Sequence, residues 1–199
     1  MFTGIIQATG KVLSIVPNGD ALSMHLFSPG FFAQSHSGDS VANDGVCLTI
    51  ESCTSDEAIF CLVKQTVENT AFAERVPGSW VNLELPCSAN SLLGGHLVMG
   101  HIDSTAKVKE IIPRETGVEV ELELSKDLLR YVISRGSITL NGISLTVAEK
   151  KEQGIRVAII PATFEKTNLS RWVVGSLVNV EVDMIGKYVE NYLKEAHLA

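Results

Sequence analysis

The chain has 199 residues, of which 45% are apolar, and it carries a formal net charge of −7 at pH 7. Nucleic-acid surfaces need a basic patch that neutralises phosphates, so this acidic chain is not expected to bind nucleic acid. The sequence contains no run of about 18 apolar residues that could span a membrane, and its first residues lack the basic stretch and cleavage motif of a signal peptide.

Short alternating or β-branched segments, separated by turn residues, fill the first half of the chain. They predict six strands at 11–16, 22–27, 40–43, 46–52, 58–63 and 80–85. The segments 17–20 and 54–57 have the composition of hairpin connections. A short helical insertion is expected near 28–32.

The second half repeats this plan after a boundary at 86–95, where Ser88-Ala89-Asn90-Ser91 has the composition of a linker. Strands are predicted at 106–112, 118–124, 137–140, 143–149, 156–160 and 177–183. A helix is expected between Ser125, a plausible N-cap, and Gly136, which ends it. Its buried face is expected to consist of Leu128, Leu129, Val132 and Ile133.

The C-terminal residues 184–199 change from a period of two to a period of 3.6 and predict an amphipathic helix. Its apolar stripe consists of Ile185, Tyr188, Tyr192 and Ala196, flanked by Val189 and Leu193. This face can pack on the chain's own barrels, or it can associate with the same helix of other subunits through heptad-like spacing.

The two halves are copies of each other. The segment 43–50, which reads Asn-Asp-Gly-Val-Cys-Leu-Thr-Ile, returns at 140–147 as Leu-Asn-Gly-Ile-Ser-Leu-Thr-Val, 97 positions later. Further matches at nearly the same offset include Gly4 with Gly100, Thr66 with Thr163, and Glu84 with Glu181. A repeat of this length predicts two globular domains of one fold, at 1–90 and 91–183, and six short strands in each predict a small antiparallel barrel.

All four cysteines lie in the first half without a C-x-x-C spacing: Cys47, Cys53, Cys61 and Cys87. A disulfide framework would place cysteines in both halves, whereas this distribution is typical of reduced thiols. We therefore expect a cytoplasmic protein.

Several of these motifs together resemble riboflavin synthase of the alpha chain type. The resemblance rests on Met1-Phe2-Thr3-Gly4-Ile5, the two Gly-x-x-Leu-Thr units, Gly94-Gly95-His96 with Gly100-His101, and the segment 178–183, so it spans nearly the whole chain. It implies an all-β fold of two tandem six-stranded antiparallel Greek-key-like β-barrels, followed by a C-terminal α-helix.

The family resemblance also implies an activity. Its members need no cofactor and transfer a four-carbon unit between two molecules of 6,7-dimethyl-8-ribityllumazine, which gives riboflavin and 5-amino-6-ribitylaminouracil. They form homotrimers through their C-terminal helices, with each active site between the N-terminal barrel of one subunit and the C-terminal barrel of another. The resemblance allows association with lumazine synthase. The alternative is a non-catalytic lumazine- or flavin-binding protein with the same double barrel.

The family resemblance further implies which residues form the site. The expected catalytic residues are Cys47, His101, Ser144 and Thr146. The expected substrate-binding residues of the first half are Gly4, Ile5, Ile6, Ser40, Cys47, Leu48, Thr49, Cys61, Leu62, Val63, Lys64, Gln65 and Thr66. Those of the second half are Gly100, His101, Ile102, Arg135, Ser144, Leu145, Thr146, Ala158, Ile159, Ile160, Pro161, Ala162 and Thr163.

Each of these assignments has a simpler alternative. A free cysteine such as Cys47 is often a small buried apolar residue, and Thr49 and Thr146 are also ordinary strand residues. His101 is a natural proton carrier near pH 7, and His96 is a possible second one. The two histidines can also be viewed as a zinc pair, but no third or fourth ligand is spaced to complete such a site, so no metal is expected.

The chain departs from the family pattern at two places. The family has Asn before the glycine of the first unit and Asp before that of the second, whereas this chain has Asp44 and Asn141. Both residue types suit a turn before glycine, which is the simplest explanation. A family lysine is replaced by Arg135, which keeps its proton, and Asp183 remains as an alternative carboxylate.

Overall fold

The structure is a computed structural model that describes residues 1–196, and its first half is a closed β-barrel. The barrel consists of β1 (Ala8–Asn18), β2 (Ala21–Phe27), β3 (Ser40–Asn43), β4 (Val46–Cys53), β5 (Glu57–Leu62) and β6 (Trp80–Glu84). Around the barrel the order is β1-β2-β5-β4-β3-β6, with antiparallel neighbours. Because β2 and β3 are not neighbours, the connection between them crosses the barrel end in Greek-key manner.

The second half repeats this barrel strand for strand. It consists of β7 (Ser104–Arg114), β8 (Gly117–Glu123), β9 (Ser137–Leu140), β10 (Ile143–Lys151), β11 (Gly154–Ile159) and β12 (Leu177–Val182). The cyclic order β7-β8-β11-β10-β9-β12 matches that of the first barrel. The predicted duplication and the all-β double-barrel fold with a C-terminal helix are confirmed.

Alternation along β4 and β10 places apolar side chains inside each barrel and leaves the polar residues of the repeated unit facing outward. In β4, Val46, Leu48 and Ile50 are buried, whereas Cys47 is half-buried and Thr49 is exposed. The equivalent strand β10 has the same pattern. Since successive strand residues point to opposite faces, the predicted catalytic positions lie on the outside of the barrels and not in their cores.

The described part of the chain also contains four α-helices, α1 (Lys64–Asn69), α2 (Lys126–Leu129), α3 (Pro161–Lys166) and α4 (Met184–Glu195), and two 3-10 helices at Ala71–Glu74 and Asn168–Arg171. The sequence pattern does not predict α1 and α3, because these helices are short, bury no residue and have no side-chain hydrogen bond from their N-cap residues. Ser125 does cap α2, but this helix ends after one turn, at Leu129. The expectation that Ile133 belongs to its buried face is therefore wrong, since Ile133 is 68% exposed.

The two barrels meet at a seam formed by equivalent turns. Asp44-Gly45 and Asn141-Gly142 all have positive φ, the conformation that a two-residue hairpin turn requires. The turns touch, because a Cβ added to Gly45 would lie 2.7 Å from the backbone nitrogen of Gly142. Across the seam the Asn82 side chain donates to the Asn141 carbonyl and the Asn179 side chain donates to the Asp44 carbonyl, both at 2.9 Å.

Helix α4 lies on the second barrel with its polar side inward. Lys187 pairs with Asp103 at 2.7 Å, and Glu190 pairs with Arg130 at 3.0 Å. Of the described residues of this helix, none is buried. The predicted apolar stripe faces away from the barrels, with Tyr188 and Tyr192 both 69% exposed, so the helix does not bury this face on the chain's own barrels. Residues 197–199 of the predicted tail lie outside the described residues.

Candidate active site

Two chain segments outside the barrels, here called the arms, cover the repeated units. The first arm is residues 1–5 and the second arm is residues 95–102. They pair with each other through Phe2 and Val98, whose backbone groups exchange hydrogen bonds of 2.7 and 3.1 Å. Phe2 is fully buried by this pairing. The arms therefore form one connected structure across both halves of the chain.

Each arm lies against the barrel of the opposite half. The backbone N–H of Cys47, in β4, donates to the carbonyl oxygen of Gly100 at 2.9 Å, and that of Ser144, in β10, donates to the carbonyl oxygen of Gly4 at 2.8 Å. Both glycines have positive φ, and a Cβ on either would lie 2.6 Å from the Cβ of its partner. Only glycine satisfies this backbone conformation and this close approach together.

A cleft of about 600 Å³ opens beside Cys47. Its walls come from α1 in the first half and from the second arm and β7 in the second half, and a volume of this size fits a small-molecule ligand. Among the residues predicted from the sequence, it is lined by Cys47, Gln65, Thr66, Gly100, His101 and Ile102. His101 therefore lies in the cleft of the first barrel, although it belongs to the second half of the chain.

The equivalent position on the second barrel carries a short chain of polar side chains. Nδ1 of His96 lies 2.6 Å from Oγ of Ser144, and Nε2 of His96 lies 3.1 Å from Oγ1 of Thr139. A neutral imidazole has one donor and one acceptor nitrogen, so it can link the two hydroxyls. Burial lowers the pKa of His96 below its ordinary value of 6.5, an effect that the nearby Asp183 carboxylate opposes. Burial thus favours the neutral form of the His96 imidazole.

The remaining predicted residues fall into two groups. Leu48, Leu62, Leu145 and Ile159 point into the barrel cores, where a ligand cannot touch their side chains. The others lie at or near the outer surface, with Val63 and Ile160 at the first turns of α1 and α3. This outer group also contains Ile5, Ile6, Ser40, Thr49, Cys61, Lys64, Arg135, Thr146, Ala158, Pro161, Ala162 and Thr163.

The structure adds Thr139 to the site residues expected from the sequence, and it identifies the partners of His96. Thr139 is 1% exposed and appears in the sequence only as a strand residue. The sequence indicates His96 as a possible second proton carrier, but its neighbours along the chain do not indicate its partners. The sequence feature that marks this position is Gly95, next to His96. A Cβ at residue 95 would lie 2.1 Å from the Thr3 carbonyl oxygen, so glycine is required there as well as at Gly100. Within residues 1–196, no group of three or more His, Cys, Asp or Glu side chains is placed to hold a metal.

The described residues contain no helix that is both long and apolar enough to cross a bilayer. Residues 3–86 and 99–183 each match the family model described as the lumazine binding domain. Two such matches on two equivalent barrels define the class of protein, a tandem of lumazine-binding domains.

Similar proteins of known name narrow this class. The riboflavin synthase of Actinobacillus pleuropneumoniae is 40% identical over 193 residues, which cover 97% of this chain and 90% of that protein. That of Bacillus subtilis (strain 168) is 36% identical over 197 residues, with coverages of 99% and 92%. The crystal structure of LumP complexed with riboflavin matches with a TM-score of 0.85 at 30% identity, covering 92% of this chain and 100% of that one. The chain therefore belongs to the riboflavin synthase family and is an enzyme, and its relatives do not favour the non-catalytic alternative.

Proposed function

We propose that this enzyme converts two molecules of 6,7-dimethyl-8-ribityllumazine into riboflavin and 5-amino-6-ribitylaminouracil by transfer of a four-carbon unit. The supporting observation is that one chain carries two versions of one site, in which Cys47 and Ser144 occupy equivalent outer positions under equivalent glycines. A reaction between two identical molecules needs two similar but unequal pockets. The LumP structure with bound 6,7-dimethyl-8-(1'-D-ribityl) lumazine, with a TM-score of 0.83, supports this ligand class.

The proposed reaction is balanced in atoms and electrons, because the two products together contain every atom of the two substrates. It needs no external oxidant, reductant or group donor. Holding both substrates in reactive contact can remove about 7 to 11 kcal/mol of a bimolecular barrier in favourable cases. The protein then has two remaining tasks, which are to align the rings and to move protons.

Proton transfer is assigned to the second-barrel site. The 7-methyl group of the lumazine is acidic, because its carbanion delocalises into the ring, and a neutral base can remove that proton. The environment of His96 supports this role, since burial favours its neutral form and its Nδ1 is hydrogen-bonded to the hydroxyl of Ser144 on the outer face. Thr146 lies two residues further along the same face of β10. Cys47 and His101 are assigned to the first-barrel cleft, where they bind and orient the other molecule.

We propose that residues 1–90 and 91–183 are the two ligand-binding domains and that residues 184–199 form the oligomerisation helix of a homotrimer. The support is the orientation of α4, whose charged side chains face the barrel while its apolar stripe is exposed. In the trimer, the N-terminal barrel of one subunit would face the C-terminal barrel of the next, which brings unlike pockets together. A cytoplasmic location and association with lumazine synthase complete the proposal.

The test is incubation of the purified protein with 6,7-dimethyl-8-ribityllumazine as the sole substrate. We expect riboflavin to form, and its fluorescence serves to measure it. Two molecules of lumazine should be consumed for each molecule of riboflavin formed. A lumazine that binds tightly and is recovered unchanged would overturn the proposal. Omitting all cofactors and adding a chelator tests the cofactor-free balance in the same experiment.

A further inference from the structure

Two buried carboxylates hold the arms. Glu84 ends β6 and is 2% exposed. Its Oε1 accepts hydrogen bonds from the backbone N–H and the hydroxyl of Thr3, both at 2.7 Å, and its Oε2 accepts from the backbone N–H of Gly4 at 3.0 Å. Both oxygens of the carboxylate are therefore occupied by the first arm.

Glu181 does the same for the second arm. It lies in β12, is also 2% exposed, and occupies the position equivalent to Glu84. Its Oε1 accepts from the backbone N–H of Met99 at 2.7 Å, and its Oε2 accepts from those of Gly100 and His101 at 2.9 and 3.2 Å. Burial raises the pKa of both carboxyls above the ordinary value, and the bonds from backbone N–H groups oppose this rise.

The other face of each arm contacts the opposite barrel. Glu84 belongs to the first barrel, but the Gly4 that it holds accepts the hydrogen bond of Ser144 in the second. Glu181 belongs to the second barrel, but the Gly100 that it holds accepts the hydrogen bond of Cys47 in the first.

We propose that Glu84 and Glu181 are positioning residues that act crosswise, each setting the geometry of the site on the barrel to which it does not belong. Glu181 places Gly100 and His101 over the Cys47 cleft. Glu84 places Gly4 over Ser144 and, through Thr3, supports His96, whose backbone N–H donates to the Thr3 carbonyl at 3.1 Å. The assignment of ligands to these sites rests on the proposed function, whereas the crossed contacts do not.

Glutamine is a sharp probe of this role, because it keeps the shape and removes one acceptor. A carboxylate offers two acceptor oxygens, and here each one receives backbone donors. In Glu84→Gln or Glu181→Gln, an amide NH₂ would face a backbone N–H, and at least one buried donor would lose its partner. At 2% exposure, bulk water cannot replace it.

Site-resolved hydrogen exchange of the intact enzyme tests the crossed pattern. In Glu181→Gln, we expect the Cys47 amide to exchange about tenfold faster or more, as for a lost buried hydrogen bond, while the Ser144 amide changes little. In Glu84→Gln, the Ser144 amide should accelerate and the Cys47 amide should not. Equal acceleration of both amides in each variant, or acceleration only in the barrel that carries the substitution, would overturn the proposal. Glu119→Gln, on the outer surface, is the matched control.

A second readout follows ligand binding at one site. Alkylation of Cys47 by iodoacetamide, quantified by mass spectrometry, should be slowed by riboflavin, and Glu181→Gln should raise the riboflavin concentration required by about tenfold. Glu84→Gln should leave the riboflavin concentration required for protection unchanged. If riboflavin gives no protection in the wild-type enzyme, the proposed ligand placement fails while the exchange pattern still tests the crossed positioning. If a glutamine variant does not fold, Glu84→Asp and Glu181→Asp, which withdraw the carboxylate by one methylene, test the same pattern.

Discussion

The carboxylate of Asp44 lies 2.7 Å from the guanidinium of Arg75, in a seam where the equivalent residues of the second barrel are Asn141 and Trp172. The Asp44 side chain is 1% exposed, and its other oxygen accepts from the backbone N–H of Asn82 and the side chain of Asn168. Asp44 does not line the cleft. Asp44 is therefore paired with a cation at the seam, and it serves the packing of the barrels.

Removing this charge is expected to destabilise the fold. Asp44→Asn keeps the turn but leaves Arg75, whose side chain is only 18% exposed, without its carboxylate. We expect the free energy of unfolding to fall by about 3 kcal/mol, as for a broken buried pair. Urea denaturation measures this change in the free energy of unfolding. Asp39→Asn, at an exposed carboxylate, should cost about 0.5 kcal/mol or less, and adding Arg75→Met to Asp44→Asn should recover part of the loss.

The two arm glycines can be tested against a glycine that has the same backbone conformation but open surroundings. Gly30 has φ +68° with nothing within 4 Å of an added Cβ, whereas the Cβ of Gly100→Ala would lie 2.6 Å from that of Cys47. Gly30→Ala should cost about 1 to 2 kcal/mol of stability for the left-handed conformation alone. Gly100→Ala and Gly4→Ala should cost clearly more and should abolish most activity. Equal losses at the three sites in denaturant titrations would contradict the close-approach argument.

His96 is expected to carry the main proton transfer. His96→Gln should lower kcat by a factor of about 10² to 10⁴, the range for loss of a general base. His101→Gln, in the other cleft, should act mainly on KM. Steady-state kinetics on the lumazine separates the two effects, and a His96→Gln enzyme with unchanged kcat would exclude His96 as the base.

The depressed pKa of His96 also predicts a pH dependence of stability. Since the folded state holds this group below its ordinary value of 6.5, the unfolded chain binds the proton more readily. The stabilisation is therefore fully present above pH 6.5 and is lost as the pH falls through the lower, folded-state pKa. Thermal unfolding between pH 5 and 8 should show this loss in the wild type, and His96→Gln should flatten it.

The exposed stripe of α4 predicts the assembly. Replacing Tyr188 and Tyr192 together with Ser should convert the expected trimer into monomers and remove activity, because the paired pockets separate. Asn191→Ser, a polar change on the same helix, should leave the trimer intact. Deleting residues 184–199 should have the same effect as the tyrosine variant. Sedimentation velocity measures the oligomeric state of each variant, and an activity assay is run on the same samples. An active monomer would contradict the prediction.

The sequence by itself determined the duplication and the barrel strands. These features depend on local period and on repetition, which are visible without contacts. It could not determine α1 and α3, because a helix of one or two turns without a cap leaves no periodic signal.

The tertiary structure alone decided which residues meet. The arms cross, so that His101 lies with Cys47 and Gly4 lies with Ser144, although the repeat assigns each arm to its own half. The partners of His96 and of Asp44 are likewise far away in sequence. The physical reason is that a duplicated sequence specifies two equivalent units, whereas backbone hydrogen bonds formed across the seam decide which unit each arm completes.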